Sequence, residues 1–493
     1  MAPHRNDSEP DSKPDSEPAE APGRPPGPGD AEAEVTGGAD RRLAAMRRFA
    51  AAARRRRGSR FVGCAALLAV ALTAGAVAVD GARDGRGVVA AGVPRDGPGM
   101  ANGVGLDAGV PALQARLRSQ PRDFGGWATL GLAYVEQART DGDPSRYPRA
   151  EKALERSLEL EPGNDQALAG RAALAAARHD FADALAYADR ALKANPYNER
   201  ALCSRVDALV ELGRYDDAAR AADTADTRRP GIPVFTRYAY VRELRGEADA
   251  ARRVLEQALA GASAPADVAY VATQLGRLAW NQGDHSAALR HYARALAADD
   301  THLPALEGRA RAKAASGDQA GAVRDLEDVV ARSPLPGPLV ALGELYEVRG
   351  EKAKAREQYA LVDAWTALAR SGGVNVDLDT ALAAADHGDE AAALRAARAE
   401  WDRRRTVHTA DALAWALHVS GRDAEALPYA RRATATGYRD AAFLHHLGVI
   451  ERAVGRKADA RRHLTAALDL NPGFSPLGAR EARTALKDLE TAR

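Results

Sequence analysis

The stretch Ala208–Ala222, ALVELGRYDDAARAA, holds a glycine at position 213, a tyrosine two residues later and an alanine at position 218. The arrangement returns along the chain. Gly213, Gly246, Gly283, Gly317, Gly350, Gly388, Gly421 and Gly455 stand 33 to 38 residues apart. Five residues after each comes an alanine: Ala218, Ala251, Ala288, Ala322, Ala355, Ala393, Ala426 and Ala460. Seven residues before each the side chain is small: Val206, Ala239, Gly276, Ala310, Gly343, Ala381, Ala414 and Gly448. A period near 34 residues marks a repeat of one supersecondary unit. Two antiparallel helices per unit approach closely only where small side chains meet, and the glycine supplies the left-handed turn that ends the first helix. Pro230, Pro334 and Pro472, seventeen residues after their glycines, stop the second.

Upstream copies extend the pattern. Trp127, Leu130, Gly131 and Tyr134, then Ala150, Leu154 and Pro162, form one; Ala172, Ala184, Ala191 and Pro196 form the next, with His179-Asp180 where the glycine belongs. On these residues the chain resembles the tetratricopeptide repeat family, whose units are 34-residue helix–turn–helix pairs. The resemblance implies an all-α solenoid of about ten units between Phe124 and Pro472, within a repeat domain at 121–474. The amphipathic segment SPLGAREARTALKDLE, in residues 475–493, then reads as a capping helix. Glu400 and Arg405 stand where a small residue and a proline are expected, and the unit after Gly350 runs long through ALARSGGVNVDLD. Superhelical geometry is least determined there.

Composition agrees with an all-helical chain: alanine, leucine and arginine are abundant, and aromatic residues make up 5%. The excess of arginine over lysine resembles that of actinobacterial tetratricopeptide membrane proteins, a likeness of codon usage that carries no function. Net charge is +1, yet its distribution is uneven. Residues 1–40 hold ten acidic and three basic side chains, residues 41–60 nine arginines and no acid, and the remainder is near neutral. A nucleic-acid-binding solenoid carries a basic excess over its repeats, so no nucleic-acid partner is expected. Cys64 and Cys203 are too far apart in context to form a disulfide framework or zinc site.

Residues 1–60 read as a disordered, proline-rich tail followed by an arginine-rich segment. FVGCAALLAVALTAGAVAV, residues 61–79, is uncharged and long enough as a helix to span about 30 Å of bilayer core. Nine arginines before it against three in the twenty residues after it predict a single-pass anchor with the amino terminus cytoplasmic and the repeats extracytoplasmic. The alternative is a secreted protein released by cleavage near Ala78. Glycine and proline make residues 80–120 a flexible linker.

No catalytic or nucleotide-binding signature occurs, and neighbouring His445 and His446 point about 100° apart on a helix, so no metal or cofactor is expected. Repeats occupy the chain after Phe124 and leave no catalytic domain. The expected function is that of a non-enzymatic scaffold binding a protein or peptide rather than a small-molecule substrate; the alternative is a regulatory subunit of an enzyme complex. The concave face is built mainly from the first helix of each unit. The register places Tyr240, Tyr270, Thr273, Arg277, Trp280, Asn281, Arg311, Trp415, His418 and His445 toward it, with aromatics and arginine as recognition anchors. The lysine–asparagine clamp with which some tetratricopeptide proteins hold a peptide carboxylate has no convincing copy.

Overall fold

A computed structural model describes residues 103–141, 146–371 and 377–491. The tail, the anchor at 61–79 and most of the linker lie outside the described residues. Among those described, no helix is long and apolar enough to cross a membrane.

The described residues form helices throughout: α1 Gly103–Ser119, then ten antiparallel pairs, then a terminal helix. The pairs are α2 Phe124–Asp141 with α3 Tyr147–Leu160, α4 Asp165–Ala177 with α5 Phe181–Ala194, α6 Glu199–Glu211 with α7 Tyr215–Arg228, α8 Ile232–Leu244 with α9 Ala248–Gly261, and α10 Pro265–Asn281 with α11 His285–Ala298. They continue as α12 Leu303–Ala315 with α13 Gln319–Arg332, α14 Pro336–Val348 with α15 Lys352–Ser371, α16 Asp377–His387 with α17 Glu390–Arg403, α18 Val407–Val419 with α19 Asp423–Ala433, and α20 Ala441–Ala453 with α21 Lys457–Leu470. The last helix, α22, spans Gly478–Thr491. The helical-repeat architecture expected from the 34-residue period is therefore present.

The period has a packing cause. The eight recurring alanines are each 3% exposed or less. Gly276 and Gly308 both lie against the Tyr292 ring: a Cβ at either would come within 2.6 or 2.3 Å of it. Most of the recurring glycines, together with His179 at φ 62°, adopt the left-handed conformation that lets α-helices end abruptly. Gly388 does not, because the α16–α17 turn is one residue shorter than its counterparts. Four second helices begin on aspartate caps: Asp180, Asp284, Asp318 and Asp389 each accept a hydrogen bond from a backbone N–H in the first turn of the helix that follows.

Two features depart from expectation. Residues 103–119, placed in the flexible linker, form α1, which buries Val110 and Leu117 against α2. The linker reading rested on glycine and proline content, and Pro111 is tolerated inside this helix. The array also returns on itself, with hydrogen bonds joining residues 186 to 193 positions apart. That separation is between five and six repeats. Arg404 at the end of α17 bonds Glu211 of α6 at 2.6 Å and also Glu400; all three are nearly fully buried. The Val407 N–H donates to the Tyr215 hydroxyl at 2.8 Å. Asn471 donates to the Trp280 carbonyl at 2.8 Å, which turns its own oxygen toward Nε2 of His285 at 2.9 Å and assigns the ring proton there. Glu400 and its neighbour Arg404, at the break in the repeat pattern, are what the returning segment uses to hold the earlier one.

Candidate functional site

The first helices α12, α14, α16, α18 and α20, together with Trp280 from α10, send side chains into one cavity of about 620 Å³. The segment after α21 closes it. Gly473 packs against the end of α12 so closely that a Cβ would stand 2.4 Å from that of Ala315. Ser475 donates to the Glu344 carboxylate on α14 at 3.2 Å, and Phe474 lies 5.5 Å from the His445 ring. Residues 475–491 therefore do more than cover the last unit, although Ala482, Ala485 and Leu489 also pack there against Val449 and Leu464.

Five of the ten sequence-derived residues meet in this cavity: Trp280, Arg311, Trp415, His418 and His445. Trp415 is nearly buried, stacks on His446 at 4.2 Å and donates from its indole to Asp386 at 2.5 Å. Arg311 is bonded to Glu307 at 2.7 Å, and His418 to Asp423. His446 lies 3.0 Å from Asp411, whose charge holds the imidazole above its usual pKa even though burial opposes that. His445 lies 3.4 Å from Glu481 on α22, and burial lowers its pKa. The indole N–H of Trp280 meets no acceptor among the described residues. Burial raises the Glu344 carboxyl to about 7, with repulsion from Asp386 adding to the effect and Ser475 and Arg311 opposing it.

Three more form a neighbouring cluster. Arg277 bonds Glu243 at 2.7 Å, Asn281 bonds the same carboxylate at 2.8 Å, and the Arg277 guanidinium stands 5.5 Å from the Tyr240 ring centroid. Tyr270 and Thr273 are corrections to the groove assignment. Tyr270 is 1% exposed in the core with Leu255, Leu259 and Tyr292, and the Thr273 hydroxyl donates to the Ala269 carbonyl within its own helix. At 17 residues α10 is longer than most first helices, and its middle, residues 269–276, is buried on every side.

Sequence reasoning passed over Glu344, Asp386, His446, Phe474 and Glu481. The signal for two of them was present. Glu344 stands six residues before its repeat glycine, as do Arg311 and Trp415, and Asp386 stands two before, as does Asn281. Selecting aromatics and arginine as anchors excluded these carboxylates. Phe474 and Glu481 lie outside the period and reach the cavity only because the chain folds back. No group of three or more histidine, cysteine or acidic residues among the described residues is arranged to hold a metal ion.

No protein-family model matches the chain, and no curated protein does. Among solved structures the chain is similar to human IFIT1 in a dimer with m7Gppp-AAAA, at 15% identity and a TM-score of 0.42 over 67% of this chain and 86% of that one. It is also similar to PilW, a type IV pilus biogenesis factor, at 21% identity and a TM-score of 0.37 over 42% and 96%. A third likeness is to a thermophilic TPR protein of Thermus thermophilus, at 23% identity and a TM-score of 0.33 over 37% and 98%.

Proposed function

We propose that this chain is a non-catalytic scaffold that holds a segment of a protein or peptide partner in the cavity between α12 and α22. The observation that carries the reading is the convergence of five first helices and the returning C-terminal segment on one recess of about 620 Å³. That volume lies within the range of specific ligand sites, which bury most of a ligand against apolar walls bearing a few fixed polar groups. Glu344, Asp386 and Glu481 line it and disfavour the phosphate backbone of a nucleic acid. Residues 61–79 anchor the scaffold with its repeats outside the cytoplasmic membrane, a reading supported by the arginine asymmetry across them. Release by cleavage near Ala78 is the alternative.

Affinity capture with the full-length chain, followed by mass spectrometry, identifies the partner. Trp280→Ala then weakens capture by about 2 kcal/mol or more, as expected of an aromatic anchor, with helical circular dichroism and melting unchanged. Undiminished capture with the fold intact removes Trp280 from recognition; joint loss of binding and fold assigns it to packing. A reporter active only outside the membrane gives signal when fused after Gly105 and none when fused before Arg41. The reverse pattern overturns the orientation, and a mature chain beginning near Val79 establishes cleavage.

A further inference from the structure

The cavity has an unbalanced charge pattern. Arg311 and three of the four histidines facing it already have their own acids: Arg311 has Glu307, His446 has Asp411, His445 has Glu481 and His418 has Asp423. The fourth, His387, stacks on the Tyr359 ring, and burial lowers its pKa. Two carboxylates on adjacent first helices remain. Glu344 accepts a bond from the Ser475 hydroxyl and Asp386 one from the Trp415 indole; among the described residues neither has a hydrogen-bonded cation. Tryptophan rings, the best partners for a cation, stand in the same recess at 280 and 415.

Resting on the reading of the recess as a peptide site, we propose that it selects a basic side chain, the guanidinium of arginine or the ammonium of lysine, taken up by Glu344 and Asp386 beside Trp280 and Trp415. The alternatives fit poorly. An anionic segment would face two carboxylates at close range, and an apolar one would strip water from both without replacing its hydrogen bonds. A cation gains charge-assisted hydrogen bonds and the Trp280 ring together, while Trp415, one face of which is covered by His446, holds Asp386 through its indole. The protonation of Glu344 agrees: burial and Asp386 raise it to about 7, the response of an acid enclosed without a sufficient counter-ion, and a bound cation would reverse it.

The test uses the full-length chain, with tryptophan fluorescence and calorimetry reporting the binding of Ac-Gly-Gly-Arg-Gly-Gly-amide, its glutamine counterpart and free agmatine. The arginine peptide is expected to bind about tenfold more tightly than the glutamine peptide, the size of one charge-assisted bond. Affinity rises from pH 6 to pH 8 as Glu344 ionises. The facing His387, His418, His445 and His446 can only lose positive charge over that range, while Asp386, Asp411, Asp423, Glu307 and Glu481 can only lose protons, so every other group acts in the same direction. Glu344→Gln reduces the dependence to what the histidines contribute, and Glu344→Gln with Asp386→Asn, which preserves side-chain volume, abolishes the arginine preference. Equal affinity for the two peptides, no binding of either at millimolar concentration, or a preference retained by the double variant overturns the proposal. Agmatine binding as tightly as the peptide overturns its peptide part. Loss of partner capture by Trp280→Ala alongside an absent arginine preference leaves the scaffold reading standing and removes only this inference.

Discussion

At Tyr292 a single ring shows how the repeat period arises from atoms. It is 3% exposed and touches Gly276 on one helix and Gly308 on another, each close enough that a methyl group would collide with it. Gly276→Ala sets two effects against each other. The helix gains about 1 kcal/mol from alanine's lower backbone entropy cost, while overpacking costs about 1–3 kcal/mol. Because the buried ring is also in close contact with Gly308, the packing cost wins, and the urea midpoint of the variant falls. A raised midpoint would show that Tyr292 can yield. The candidate site was legible at this scale wherever a residue's place in the period sufficed: Trp280, Arg311, Trp415, His418 and His445 were found by counting from a glycine. Glu344 and Asp386 obey the same count and were passed over on chemical type alone. Tyr270 and Thr273 were misplaced because the count gives an angle around a helix and not that the middle of α10 is enclosed on every side.

Turns between paired helices look alike in sequence, yet the structure separates them into two kinds. Gly213, Gly246 and Gly283 present their α-carbons to the backbone of the returning segment, and a Cβ at these positions would stand 2.1 to 2.5 Å from a carbonyl oxygen. Gly350, Gly421 and Gly455 share the left-handed conformation but face nothing within 4 Å. Alanine at Gly350 incurs only the strain of positive φ, about 1–2 kcal/mol. Alanine at Gly213 incurs the same strain and must also displace the Arg405 carbonyl, so its loss of stability is expected to exceed that of Gly350→Ala by about 1 kcal/mol or more. Denaturant unfolding of the two variants compares them directly. Equal losses would mean that the α17–α18 connection does not rest on the α6–α7 turn in solution.

Across the whole array, the return of the later helices onto the earlier ones is held by Arg404 between Glu211 and Glu400. Burial pushes the Glu211 carboxyl up, the charge of Glu400 adds to this, and Arg404 opposes both, so the guanidinium is what keeps charge tolerable there. Arg404→Ala leaves the enclosed Glu211 without its cation and Glu400 with Arg403 alone, and is expected to cost about 3–5 kcal/mol. Hydrogen exchange locates the damage. Faster exchange at Leu212–Tyr215 and Val407, with α2 and α3 unchanged, is the expected result, because the first pairs make their contacts within their own units and with near neighbours. Uniform acceleration along the array would assign Arg404 to general stability and not to closure.

The sequence by itself determined the helix pairs, their number and most of their turns. These follow from interactions within one unit or between neighbours, which repeat every 34 residues and so leave a period to read. Only the tertiary structure decided that the array meets itself after between five and six units, that Glu400 and Arg404 serve as the fastening where the pattern breaks, and that Phe474, Ser475 and Glu481 close the recess. Those contacts join residues that no period relates. Their position depends on the small rotation between successive units accumulated over the turn, which no single repeat encodes in a pattern of its own.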